Sequence, residues 1–67
     1  MNEIVLKNNI KNFRQEKNIS QEELAKIVGT TRQTIISIEK GNYHPSAKLA
    51  LLICFALNKT FEEVFYF

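Results

Sequence analysis

Aspartate is absent from the 67 residues, and histidine, cysteine and proline occur once each, as His44, Cys54 and Pro45. Most enzymatic chemistry is thereby excluded. A metal site needs three or four ligands in one place, and a Cys/His catalytic pair needs both groups with a third to orient them. One histidine and one cysteine supply neither, so His44 reads as a solvent-facing turn residue and Cys54 as a small core residue. Glycine is confined to Gly29 and Gly41, and neither sits in a phosphate-cradling loop. A single cysteine closes no internal disulfide, and no run is long and apolar enough for a signal peptide or membrane span. The expectation is a cytosolic protein that is not an enzyme, with no membrane partner, no cofactor, no metal and no evident small-molecule ligand.

The length supports one domain, residues 1–67, whose small core leaves only a few kcal/mol of net stability unless a second subunit helps. The net charge of +2 is modest, but its distribution is uneven. Lys7, Lys11, Arg14, Lys17, Lys26, Arg32, Lys40 and Lys48 stand against Glu16, Glu22, Glu23 and Glu39, whereas the remainder sets Lys59 against Glu3, Glu62 and Glu63. Positive charge therefore gathers on one part of the chain, the footprint of a phosphate-facing surface.

That part contains Ser20 to Gly41, SQEELAKIVGTTRQTIISIEKG, which spells two short helices joined by a tight turn. Ser20 with Glu23 makes a capping box, so the first of the two is predicted from Gln21 to about Val28. Gly29 follows, where the chain leaves the helix through a left-handed residue. Thr31 caps the second, which turns Ile35 and Ile38 inward and leaves Arg32, Gln33, Thr34 and Ser37 outward or forward. Ala25 marks the close crossing of the two axes.

Gln21, Ala25, Gly29, Ile35 and Ile38 at these intervals, with Gly-Thr-Thr-Arg-Gln-Thr-Ile and then Ile38-Glu39-Lys40-Gly41 and Tyr43-His44-Pro45-Ser46, resemble the Cro/C1-type (Xre-like) helix-turn-helix regulators. Within that family the chain looks like the short single-domain subgroup that includes the cytolysin-operon repressor. The resemblance runs from about Leu6 to Phe65. It implies a mainly α, five-helix lambda-repressor-like domain with its motif at residues 20–41.

Flanking helices are predicted from Asn8 or Asn9 to Lys17, carrying Ile10 and Phe13, and from Ser46 to about Leu57. Ile19 enters the core between the first and the motif. Thr60 with Glu63 makes a second capping box for a short fifth helix. Ile4-Val5-Leu6 and Val64-Phe65-Tyr66-Phe67 are able to pair as a short antiparallel ribbon, as in the subgroup the chain resembles. On the fourth helix Ala47, Ala50, Ile53, Cys54 and Leu57 form one apolar stripe. Leu49, Leu52 and Phe55 form a second, where a monomer would place charge. With Phe65 and Phe67, that second stripe is expected to be the interface of a homodimer. A covering of it by the chain's own terminal ribbon is the alternative.

The function that follows is sequence-specific binding to double-stranded DNA, as a repressor on a palindromic operator. Arg32 suits guanine O6 and N7, Gln33 suits adenine N6 and N7, and Ser37 stands one turn further along. The resemblance brings Thr31 to a thymine methyl or a phosphate and keeps Thr34 near the backbone. It also shows that Arg32 replaces a glutamine of the phage pattern. Gln21, Lys40, Asn42 and Tyr43 are expected to hold phosphates. The alternative function is a protein-interaction module, such as a DNA-binding antitoxin that neutralises a partner protein.

Overall fold

The computed structural model describes residues 5–67, so Glu3 and Ile4 lie outside the described residues. Five helices follow a two-residue strand and precede another: β1 (Lys7–Asn8), α1 (Ile10–Glu16), α2 (Gln21–Val28), α3 (Arg32–Glu39), α4 (Ala47–Leu57), α5 (Phe61–Val64) and β2 (Phe65–Tyr66). Among the described residues no helix is long and apolar enough to cross a membrane.

The helix starts follow their capping residues. Ser20 and Thr60 each accept from the backbone N–H three residues on, and Glu23 and Glu63 accept in return from the capping residues' own N–H groups. These bonds hold both carboxyls below the ordinary glutamate range, the backbone N–H being the larger cause. Thr31 and Ser46 cap α3 and α4 through Thr34 and Leu49.

The helix ends share one device. After each of α1, α2, α3 and α4 a residue turns left-handed, and the two amides at the turn reach back to carbonyls of the last turn. Thr30 N–H donates to Ala25 at 2.9 Å, Asn42 N–H to Ser37 at 2.9 Å, Ile19 N–H to Arg14 at 3.0 Å and Lys59 N–H to Cys54 at 3.0 Å. Gly29 (φ 78°) and Gly41 (φ 79°) serve two of these turns; Asn18 and Asn58 (both φ 56°) serve the others. Asparagine tolerates this conformation because its short amide bonds locally.

Nothing lies within 4 Å of a Cβ added at Gly29, so only its positive φ resists substitution there. Gly29→Val is therefore expected to lower stability by roughly 1–2 kcal/mol, and Gly29→Asn by less, in urea unfolding of the two variants. Unchanged stability of the valine variant would mean that the turn re-forms without a left-handed residue.

The core joins all the helices around Ile10, Leu24, Ala25, Val28, Ile35, Ile38, Ile53 and Leu57, closed below by Val64 and Phe65. Phe65 thus departs from its expected place at a subunit interface. It is 3% exposed within the protomer and stacks on Phe61 at 5.2 Å between ring centroids, leaving no surface for a partner. Ala47 also departs from the inward stripe, because the first residue of α4 stands exposed beyond the core. The ribbon pairs Lys7 with Tyr66 and Asn8 with Phe65, so its first strand follows the expected Ile4-Val5-Leu6 while its second falls within the expected Val64-Phe65-Tyr66-Phe67. Val64 remains in α5, and its carbonyl accepts from Asn9 N–H at 2.8 Å.

Candidate nucleic-acid interface

The solvent face of α3 has two flanks. Gln33 and Ser37 lie one turn apart on the first, and the left-handed Gly41 swings the following chain back beside them. Gln33, Thr34, Ser37, Asn42 and Tyr43 consequently line one concavity of about 290 Å³. Three expected DNA-contacting residues of the helix and two of the following turn share that surface. Thr31 is exposed at the helix start, where its hydroxyl accepts from Thr34 N–H at 3.2 Å and meets the Thr34 hydroxyl at 2.9 Å. Threonine 34 is thereby turned toward the cap.

Arg32, Ile36 and Lys40 lie along the second flank, beside the start of α2. Both ends of the Gln21 carboxamide have a partner there. Its Nε2 donates to Glu39 Oε1 at 3.1 Å, and its Oε1 accepts from Arg32 Nη2 at 3.5 Å, a long contact. Glu39 is in turn held by Arg14, whose Nε donates to Oε2 at 2.9 Å and whose Nη2 donates to Oε1 at 3.3 Å. Arg14 Nη1 donates to the Ile19 carbonyl at 3.0 Å. A continuous hydrogen-bonded chain therefore runs from the interior to the exposed guanidinium of Arg32. The Gln21 backbone N–H, at the first position of α2, has no intrahelical acceptor, whereas Glu23 N–H is taken by the Ser20 hydroxyl at 3.0 Å.

Arg14 corrects the charge reading. Its side chain is 10% exposed and neutralised by Glu39, so it adds nothing to a phosphate-facing surface. The signal was available: Arg14 stands four residues after Ile10, on the same inward face of α1. Asn8 is a second residue that sequence reasoning passed over. Its Nδ2 donates to the Ile38 carbonyl at 2.9 Å, satisfying an end of α3 from thirty residues away.

Away from this face, burial pushes the Cys54 thiol up, away from the reactive thiolate. His44 is exposed in the turn before α4. On α4, Leu51, Leu52 and Phe55 are exposed, Phe55 at 87%, while Leu49 packs partly against the core. The terminal ribbon leaves this stripe uncovered. Phe67 is also exposed.

Residues 10–64 match the family model described as helix-turn-helix. An uncharacterized HTH-type transcriptional regulator of Archaeoglobus fulgidus is 48% identical over 62 residues, which are 92% of this chain and 87% of that protein. The Bacillus subtilis HTH-type transcriptional regulator YgzD is 49% identical over 61 residues, 91% of this chain and 92% of its own. Among solved structures, the restriction-modification controller protein C.AhdI from Aeromonas hydrophila aligns with a TM-score of 0.75 at 30% identity, over 81% of this chain and 82% of that one. The clp gene regulator ClgR from Corynebacterium glutamicum aligns with a TM-score of 0.74 at 25% identity, over 78% of this chain but 55% of that chain.

Proposed function

The chain belongs to the helix-turn-helix family of DNA-binding transcriptional regulators, and from that premise we propose that it is a repressor that reads a palindromic operator as a homodimer. The observation that carries this reading is the concavity shared by Gln33, Thr34, Ser37, Asn42 and Tyr43. The concavity brings Gln33 and Ser37, whose side chains suit base edges, and Asn42 and Tyr43, whose side chains suit phosphates, onto one surface, which supports docking of α3 in the major groove. Arg32 and Gln33, the first two residues of α3, are the exposed side chains whose geometry suits bidentate bonds to guanine and adenine. Thr31 and Ser37 complete the base-facing set. Lys40, Asn42, Tyr43, Thr34 and the Gln21 backbone N–H hold phosphates. The β1–β2 ribbon supports placing the chain with the short subgroup that includes the cytolysin-operon repressor. Exposed Leu52 and Phe55, with Phe67, supply the apolar surface for a second copy.

Arg32→Ala and Gln33→Ala are each expected to weaken binding to a selected operator by roughly 1–3 kcal/mol and to relax preference at one base position, with non-specific affinity nearly unchanged. Fluorescence anisotropy on the selected duplex and a scrambled one measures both. An Arg32→Ala protein that binds the operator as tightly as wild type would remove α3 from the reading role.

A further inference from the structure

We propose that Lys11 of α1 is a phosphate-contacting residue, and that with Lys40 it forms a seat for the DNA strand opposite the one held by Asn42 and Tyr43. The inference rests on the DNA-binding reading above. A helix in the major groove lies between two sugar-phosphate walls, in a groove about 12 Å wide, so each flank of α3 faces a different strand. The first flank has its concavity, described above. The second flank has one too: Lys11, Gln21, Ile36, Glu39 and Lys40 line a cleft of about 240 Å³ between α1, the start of α2 and the end of α3.

The charge in this cleft is positive although it contains a glutamate. Glu39 is consumed by Arg14 and Gln21, whereas Lys11 and Lys40 make no ion pair among the described residues. Both lysines are exposed at the rim. Lys11 is aimed by its helix: it stands three residues before Arg14, on the neighbouring face, and Arg14 reaches directly to Glu39 in the cleft wall. The buried ion pair ties α1 to α3, and Lys11 and Lys40 line the same opening. Ile36 supplies the cleft with an apolar side chain between the polar ones. Two uncompensated amines on one opening, on the flank where the second strand must pass, match the chemistry of a duplex phosphate.

The full chain and Lys11→Gln are titrated with a selected operator duplex over a range of KCl concentrations, together with Lys17→Gln, an exposed lysine of the same segment outside the cleft. Lys11→Gln is expected to lower the slope of log affinity against log salt by about one, the value for one lost phosphate contact, and Lys11→Arg to retain the wild-type slope. Phosphate-ethylation interference on the same duplex is expected to lose one site in Lys11→Gln, on the strand opposite the sites assigned to Asn42 and Tyr43. Identical slopes and ethylation patterns for wild type and Lys11→Gln would overturn the proposal, as would an equal fall in Lys17→Gln, which would reduce the effect to overall charge. If wild type itself bound the duplex no better than an unrelated acidic polymer, the DNA-binding reading would fail instead. Unfolding curves on each variant separate a lost contact from a lost fold.

Discussion

Glu39→Ala is expected to lose about 3–5 kcal/mol of folding stability, the cost of leaving one partner of a buried ion pair alone. A domain of this size holds about that much in total, so the variant should be largely unfolded in mild urea. The cause is local. Both side chains are nearly enclosed, at 10% and 7% exposure, and without Glu39 the Arg14 guanidinium keeps only the Ile19 carbonyl. Replacing both, as Arg14→Met with Glu39→Leu, removes the orphaned charge and is expected to recover most of the stability. The double variant separates folding from reading. Its Gln21 amide has no anchor, so discrimination at the base assigned to Arg32 should weaken while phosphate contacts persist. Circular dichroism through a urea titration decides the first part: a Glu39→Ala protein within 1 kcal/mol of wild type would show that water reaches the pair.

The second large effect joins assembly to target. Leu52→Lys with Phe55→Lys is expected to give a folded monomer that loses operator binding, although α3 is untouched. Folding should survive because both side chains already stand outside the protomer's core, Phe55 at 87% exposure. In the homodimer they would meet their symmetry mates, and two amines per subunit there would repel. A two-fold dimer sets its recognition helices about 34 Å apart, one turn of duplex, so the operator is expected to be an inverted repeat with half-sites at that spacing. Light scattering of the wild type at micromolar concentration gives the mass directly. A monomer there would remove α4 as a self-interface and turn its apolar face toward another protein; a selected site without dyad symmetry would remove the paired docking.

What the sequence could show was local. The capping boxes at Ser20 and Thr60, the caps at Thr31 and Ser46 and the turn at Gly29 are written in residues three to five apart, so α2 appears with the bounds expected of it and α3 with the expected start. The inward positions Ile35 and Ile38 follow from helical period alone. What stayed hidden depends on contacts between distant segments. Arg14 meets Glu39 across twenty-five residues, and a charged residue on an inward face looks like any surface arginine until its partner is placed. Phe65 looks like an interface aromatic because the end of α5, which folds it under the core, has no strong signal of its own. Asn18 and Asn58 escaped notice because asparagine marks a left-handed turn far less often than glycine. The second flank of α3 was legible only in fragments: Gln21 and Lys40 were singled out, but nothing local brings Lys11 to them.

The ribbon carries a consequence for the order in which the molecule assembles. Its pairing of Asn8 with Phe65 closes nearly the whole described chain into a ring, at an entropic cost of about 3–4 kcal/mol for a flexible loop of that length. Two residues per strand return little of this by themselves. The helices must therefore narrow the ring before the strands can meet, which makes the ribbon a late arrival in folding and an early departure in local opening. Asn8 also donates to the Ile38 carbonyl, which Gly41 N–H bonds as well, so loss of the ribbon is expected to loosen the far end of α3, and the exchange lifetimes of the amides at Asn9 and Gly41 should rise and fall together.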